Sequence, residues 1–318
     1  MTFAVVTLHD RDSSSTAQIL PGFGFNCYRL AIDEGGEPVE VLWSDPAIEE
    51  GRARPSGSGI PVLFPFPGRL PGDSFEFGGK TYTIANRDAL GNAIHGFVLD
   101  RGWEVVDQQS DSVTGRFNST SDATLRQHWP GDFRITMTYV LKNRELTAEV
   151  VLENPGSTPL PWGFGVHPYF RVPLDASGEA DRCLVNVPVR EHWVLKDMLP
   201  TGERQSLPAD YPLAQGMEFR QTKFDDVFSG VAVQDQHCLA TVTDPANKRR
   251  LELEFDPAFP VCVVYNPPHR EAVCVEPYTC VPGLPVPADA SQVGHGLQIM
   301  QPGEQRTLRF AIRLRQAD

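Results

Sequence analysis

The fold of this chain is decided by residues 135–153, which read ITMTYVLKNRELTAEVVLE. Apolar side chains occupy every second position from Ile135 to Leu141 and again from Leu146 to Leu152. This two-residue period is typical of a β-strand that buries one face and leaves the other in water. The turn at Lys142–Arg144 separates the two runs, so the stretch predicts two successive strands.

The same alternation returns at residues 251–255 and 308–314, while long helical patterns are scarce. The 28 prolines and 27 glycines are scattered along the whole length and divide it into short segments. Many short strands with such turn signals indicate an all-β sandwich or barrel. The segments Arg52–Ser58 and Pro282–Pro287 are predicted as loops, but neither separates regions of different composition. We therefore expect one domain over residues 1–318.

The charge and the composition restrict the partners. The 318 residues include 28 Lys and Arg against 41 Asp and Glu, a formal net charge of −13. Nucleic acids and anionic membranes select basic surfaces, so neither is expected as a partner. The first residues lack the basic region and the apolar length of a signal peptide, and no run reaches the roughly 20 apolar residues of a membrane span. The six cysteines follow no zinc spacing. We expect a cytoplasmic protein.

Two segments in the first third of the chain could carry chemistry. Arg69 ends the apolar and proline-rich run GIPVLFPFPGRL of residues 59–70. Its guanidinium is expected at a rigid edge, although an arginine covering aromatic side chains would read the same. His95 precedes Gly96, and this glycine permits a turn or the close approach of a ligand. A structural histidine would also fit that position.

His167 and Glu276 give stronger signals. His167 lies in PWGFGVHPYF, residues 161–170, where glycines, aromatics and Pro168 would hold an imidazole in one orientation. Aromatic neighbours disfavour its charged form. Glu276 is expected at the end of an apolar strand, followed by Pro277. A carboxylate there is costly unless it is hydrogen-bonded, paired or functional, and burial would raise its pKa toward that of a general base.

Several classes of site are not indicated. The eight histidines form no His-x-x-x-His or Glu-x-x-His pair, so no metal site is predicted. The sequence also contains no Gly-x-Ser-x-Gly nucleophile motif and no phosphate-binding glycine loop. The adjacent acids Asp225 and Asp226 are compatible with a solvated turn when considered alone.

Taken together, these segments resemble the aldose 1-epimerase (galactose mutarotase) family. The match runs in the family's order over roughly residues 20 to 314. The segments that carry it are Phe66–Leu70, the hairpin Phe75–Tyr82, Asn92–Gly96, Gly165–Phe170, Asp225–Phe228, Val275–Thr279 and Gly296–Glu304.

The resemblance implies a large antiparallel β-supersandwich and an isomerase that interconverts the α and β anomers of a free aldose. By this resemblance Glu276 is the base and His167 the acid, and no cofactor or metal is required. Arg69, His95, Asp225 (rather than Asp226) and Tyr169 would bind the sugar, with Tyr169 or Trp162 offering an aromatic face. The expected partner is a small sugar, and the protein is expected to be a monomer or a homodimer.

Two positions depart from the family pattern. Gly68 stands where many members have asparagine before the arginine, and Val263 stands where many have glutamine on the strand before the glutamate. Both positions commonly help to hold the sugar. Because of these departures, the sequence does not predict which hexose is preferred, but it still predicts the acid/base pair.

Other functions remain open at this stage. A hexose-6-phosphate 1-epimerase would need additional basic residues around the pocket, for which Arg101, Arg171 and Arg270 are candidates. A non-catalytic carbohydrate-binding β-sandwich would need aromatic residues but no buried glutamate with a motif histidine. A glycoside hydrolase or lyase on a related fold would need a pair of carboxylates, such as Asp225 with Glu276, or a Tyr/His base.

Overall fold

The computed structural model describes residues 2–286 and 295–317. It confirms the predicted all-β class. Helix within these residues is limited to α1 (Leu125–His128), α2 (Pro212–Gln215) and single 3₁₀ turns at Ile48–Glu50, Ser119–Ser121, Ala180–Arg182 and Phe219–Gln221. Of the loop predicted at Pro282–Pro287, Pro287 lies outside the described residues.

The strands of the first half are, in chain order, β1 (Val6–His9), β2 (Thr16–Leu20), β3 (Asn26–Ile32), β4 (Val39–Glu40), β5 (Val62–Leu63), β6 (Arg69–Leu70), β7 (Ser74–Phe77), β8 (Lys80–Thr83), β9 (Ala93–Ile94), β10 (Glu104–Gln108), β11 (Ser112–Asn118), β12 (Arg134–Lys142) and β13 (Glu145–Glu153). Those that follow are β14 (Leu160–Trp162), β15 (Gly165–Val166), β16 (Tyr169–Arg171), β17 (Leu184–Asn186), β18 (Glu191–Lys196), β19 (Leu199–Ser206), β20 (Met217–Glu218), β21 (Asp225–Ser229), β22 (Cys238–Asp244), β23 (Arg249–Phe255), β24 (Val261–Tyr265), β25 (Ala272–Tyr278), β26 (Gln298–Met300) and β27 (Gln305–Gln316).

The larger sheet has the order β10-β11-β12-β13-β27-β23-β22-β17-β20. Strands β12 and β13 form the predicted antiparallel hairpin, with Ile135 opposite Leu152. Its turn residues Asn143 and Arg144 both have positive φ, 54° and 63°. Two such residues make the tight turn whose twist matches that of the flanking strands. The hairpin confirms the two strands predicted from the alternation.

The second large sheet has the order β19-β18-β21-β24-β25-β15-β5, and β16 also pairs with β25. Its neighbouring strands are antiparallel, and one apolar cluster joins its inner face to the inner face of the larger sheet. Val264 and Val275 from this sheet and Ile135 and Leu152 from the other belong to that cluster. This is the layered β architecture that the resemblance implies. Glu276 lies within β25, two residues before its end, so the expectation that it terminates the strand was wrong.

Smaller sheets bring further candidate residues close to one another. Strands β6 and β9 pair so that Arg69 lies opposite Ile94, which places His95 close to the arginine. The predicted hairpin after Arg69 is formed by β7 and β8. The fold thereby gathers segments that are more than 200 residues apart in sequence onto the outer face of the second large sheet.

Two further observations concern the whole chain. All six cysteines are buried and free of disulfides. In the part of the chain that the structure describes, no helix combines the length and the hydropathy that crossing a membrane requires.

Candidate active site

Glu276 lies at the centre of a cavity on the outer face of the second large sheet. Side chains alternate along a strand, so Val275 enters the core and Glu276 points the opposite way. The carboxylate is almost inaccessible, with 1% of the residue exposed. The Tyr278 hydroxyl, two residues further along the same face, donates a hydrogen bond to its Oε2. Oε1 faces His167.

His167 occupies the short link between β15 and β16. Its backbone N–H donates to the Pro61 carbonyl at 3.0 Å, and its ring stacks on Tyr169 with centroids 4.8 Å apart. Its Nε2 lies 3.3 Å from Glu276 Oε1. The structure therefore brings together the imidazole and the carboxylate that the sequence singled out.

Tyr169 lines the cavity beside His167. Its hydroxyl donates to the Ser56 carbonyl at 2.9 Å, so this group is already occupied. The residue is 5% exposed, and its ring covers one face of His167. Tyr169 therefore contacts the imidazole directly and orients it.

His95 and Arg69 form one side of the cavity. His95 has a left-handed φ of 63°, and its ring centroid is 5.6 Å from that of His167. Arg69 Nε donates to Asp88 Oδ2 at 2.8 Å. Its Nη2 lies 3.8 Å from Asp225 Oδ2. Asp88, which the sequence did not single out, thus fixes the guanidinium that faces Asp225.

The acidic pair at 225–226 divides between two environments. Asp225 lines the cavity, whereas Asp226 accepts a hydrogen bond from His192 at 2.8 Å. Burial raises the pKa of Asp225, and Arg69 partly opposes that shift. Only the first of the two acids is therefore placed to contact a ligand in this cavity.

Burial also shifts the pKa values of Glu276 and His167. It raises the pKa of Glu276 well above its usual value, while the hydrogen bond from Tyr278 acts in the opposite direction. It lowers the pKa of His167 to about 3. Both shifts disfavour charge, so they favour a proton on the Glu276 carboxyl beside a neutral imidazole, and transfer of that proton from Oε1 to Nε2 leaves the net charge of the pair unchanged.

The cavity encloses about 670 Å³ of space when its open mouth is included. Sequence reasoning did not single out several of the residues that line it: Arg54, Ser56, Leu195, Met198, Val227 and Tyr265. Arg54 belongs to the segment that was predicted only as a loop. In the sequence, only the glycines and prolines around Arg54 could have indicated that it lies at the site.

Four sequence candidates lie elsewhere. Trp162 is buried in the main core, so it cannot offer its face to a sugar in this cavity. Arg101 donates to the Phe97 carbonyl and pairs with Asp122. The Nε of Arg171 donates to the Leu42 carbonyl at 2.9 Å. Arg270 lies over the Phe219 ring at 4.3 Å. None of these three arginines lines the cavity among the described residues.

Three potential metal ligands meet beneath the cavity. One ligand atom each from His167, Cys274 and Glu276 lies within 4.8 Å of the others. Burial raises the pKa of Cys274 well above its usual value. The neutral thiol is a poor ligand, since metals bind the thiolate. The chemistry of this set fits a packed thiol beside an acid/base pair better than a resident ion.

Comparison with known proteins shows the family and the fold of the chain. The model of the aldose 1-epimerase family matches residues 24–313. The chain belongs to the aldose 1-epimerase family. A galactose mutarotase-like protein from Clostridium acetobutylicum superposes with a TM-score of 0.84 and 24% identity, covering 95% of this chain and 93% of that one. Galactose 1-epimerase from Lactobacillus acidophilus NCFM gives a TM-score of 0.75 at 14% identity, covering 100% of both chains.

Among curated proteins, the uncharacterized protein YihR of Escherichia coli K12 is 24% identical over 254 residues, which cover 79% of this chain and 77% of YihR. These comparisons confirm both the resemblance and the supersandwich fold. At such identities the likeness to solved structures concerns the fold alone. The substrate and the roles of individual residues in this family member must therefore be argued from its own cavity.

Proposed function

We propose that this protein is an aldose 1-epimerase that interconverts the α and β anomers of a free aldose, with Glu276 as the base and His167 as the acid. The observation that carries the proposal is the 3.3 Å separation of His167 Nε2 and Glu276 Oε1 in the lining of one cavity. A carboxylate and an imidazole at this distance can serve one small substrate at the same time.

The reaction needs two proton transfers. Glu276 takes the proton from the anomeric hydroxyl while His167 delivers one to the ring oxygen, and the C1–O5 bond breaks to give the open-chain aldehyde. Rotation about C1–C2 presents the other face of the carbonyl. The two groups then exchange roles as the ring closes. Each such step typically contributes about 10²–10⁴-fold to the rate.

The shared proton suits this exchange of roles. Burial raises the pKa of Glu276 and lowers that of His167. The neutral pair, with the proton on Glu276, is therefore the resting state, and transfer of that proton to His167 Nε2 prepares the carboxylate to act as a base. A pair that can hold its proton on either member can act as acid or base from either direction, as a reversible epimerisation requires.

The surrounding residues supply binding. In this proposal Arg69 and His95 donate to sugar oxygens and the half-buried Asp225 accepts from hydroxyls, which is supported by their presence in the cavity lining. The stacked ring of Tyr169 keeps His167 in orientation. No electrons and no groups are transferred, so the mechanism calls for no cofactor.

A free aldose is favoured over a hexose 6-phosphate. The three arginines that the sequence offered for a phosphate group lie away from the cavity, although Arg54 and Arg69 line it. A non-catalytic sugar-binding module is disfavoured, because it would have no use for a buried carboxylate facing an imidazole. Rates on glucose and on glucose 6-phosphate distinguish the first two functions.

The decisive variant is Glu276→Gln, which keeps the size of the side chain and removes the base. We expect mutarotation of freshly dissolved single anomers of glucose or galactose, followed by polarimetry, to fall at least a hundredfold. Glu76→Gln is the matched control, because Glu76 is an exposed residue of the β7–β8 hairpin. A Glu276→Gln protein with near wild-type rates would show that the base has been assigned wrongly.

A further inference from the structure

Two valines stand next to the base on the cavity floor. Val227, Val263 and Glu276 are Cα partners across β21, β24 and β25, so their side chains share one face. Side chains directly opposite each other on neighbouring strands have Cβ atoms about 4.5–5.5 Å apart. The position nearest to the base along this row is therefore apolar.

The exposed part of these valines faces the cavity. Val227 is 6% and Val263 7% exposed, whereas Val264, which points into the core, is 0% exposed. Both valines line the cavity together with Leu195 from β18. Leu195 also packs against the apolar cluster that contains the two valines. We call Val227, Val263 and Leu195 the apolar wall.

The rest of the lining includes polar side chains. Arg69, His95 and Asp225 are among them, with Arg69 and Asp225 3.8 Å apart, and Asp225 borders the apolar wall because it lies two residues before Val227 on the same face of β21. A sugar whose anomeric centre contacts Glu276 and His167 therefore has one edge on hydrogen-bonding groups and another edge on the apolar wall. A hydroxyl on the first edge can hydrogen-bond to these groups. A hydroxyl in contact with the apolar wall loses its hydrogen bonds to water and makes none with the wall.

This asymmetry selects among sugars. A buried hydroxyl without a partner loses its hydrogen bonds to water with no compensation, and a methyl group in an apolar contact is favoured. Building on the proposed function, we propose that the preferred substrate is a deoxy aldose. Its ring edge on the apolar wall carries hydrogen or a methyl group, where an ordinary aldose carries a hydroxyl or hydroxymethyl group.

The test compares each parent sugar with its deoxy forms on the wild-type protein. Mutarotation of galactose, 2-deoxygalactose and 6-deoxygalactose, and of the corresponding glucose series, is followed by polarimetry or anomer-exchange NMR. We expect kcat/KM for at least one deoxy form in a series to exceed that of its parent about tenfold or more. Parent sugars that react as fast as both deoxy forms overturn the inference and leave the proposed function standing. If no aldose reacts at all, the proposed function fails and the inference fails with it.

A variant locates the origin of the preference. Val263→Thr preserves the shape of the side chain and adds a hydroxyl to the wall, so the deoxy-to-parent ratio of kcat/KM should fall toward one. Val261→Thr is the matched control, because Val261 is a buried valine on the same face of β24 that does not itself line the cavity. Its ratio should remain that of the wild type. An unchanged ratio in a folded Val263→Thr protein, checked by thermal melting, rules out the apolar wall as the source.

Discussion

Tyr278 adjusts the base through one hydrogen bond. Its hydroxyl donates to Glu276 Oε2 and favours the ionised carboxylate, against the effect of burial on the pKa of Glu276. Tyr278→Phe removes that donor, so the pKa of Glu276 rises further. Because the base acts when it is ionised, the acidic limb of the kcat/KM profile should move to higher pH. Rates measured below neutrality should fall more than rates measured above it.

The pH profile of Tyr82→Phe is the control for this prediction. Tyr82 lies on the β7–β8 hairpin, where its ring stacks on Phe75 outside the cavity lining. Its profile should coincide with that of the wild type. If Tyr278→Phe lowers the rate equally at every pH, then Tyr278 acts through packing and does not influence the ionisation of Glu276.

At the same scale, the sequence predicted which residues meet but not every contact they make. His167 and Glu276 could be singled out because a titratable group inside an apolar, glycine-rich or proline-bounded run has few structural uses. Arg54 gave no such signal, since an arginine in a polar loop is ordinary. The occupied hydroxyl of Tyr169 depends on the Ser56 carbonyl, 113 residues away, and no local pattern reports that pairing.

Two glycines with the same backbone angle isolate the effect of close packing. Gly96 and Gly72 both have φ of +69°, but a Cβ on Gly96 would lie 2.1 Å from the Phe64 carbonyl oxygen, whereas nothing lies within 4 Å of one on Gly72. Gly72→Ala should cost only the backbone strain, about 1–2 kcal/mol. Gly96→Ala should cost about 3 kcal/mol or more, because β9 and the segment at Phe64 must also separate.

Urea unfolding measures both costs, and activity provides a second readout. Gly96 follows His95 directly, so Gly96→Ala should reduce mutarotation in the protein that remains folded. Gly72→Ala should leave it unchanged. Equal losses of stability in the two variants would show that the close approach at Gly96 relaxes without cost.

Elements differ in how much of them the sequence can predict. The hairpin β12–β13 has nine residues in each strand and a clear two-residue period, so the alternation of apolar residues was enough to predict both strands. Strands β6 and β9 have two residues each, too few to show any period. These strands form through a tertiary contact, the pairing of Arg69 with Ile94, rather than through a local pattern. A Cβ on Gly68 would lie 2.5 Å from Pro282, which gives a steric reason for glycine where many relatives have asparagine.

For the whole molecule, we expect one cooperative unfolding transition. The main apolar cluster runs from Val6 to Leu314 and includes side chains from both large sheets. Neither sheet can lose its partner without exposing this shared core. Calorimetry should therefore give equal van't Hoff and calorimetric enthalpies. Two separate transitions would contradict the proposal that residues 1–318 form a single domain.

The position of β27 has a consequence for synthesis. This strand lies between β13 and β23, with Glu145 opposite Arg313 on one side and Leu253 opposite Ile312 on the other. Before β27 has been translated, β13 and β23 each have one edge without a hydrogen-bonded partner. Such unpaired edges can pair with other nascent chains. The larger sheet closes only after residues 305–316 emerge from the exit tunnel. Until then the hydrogen bonds that join the two halves of this sheet cannot form.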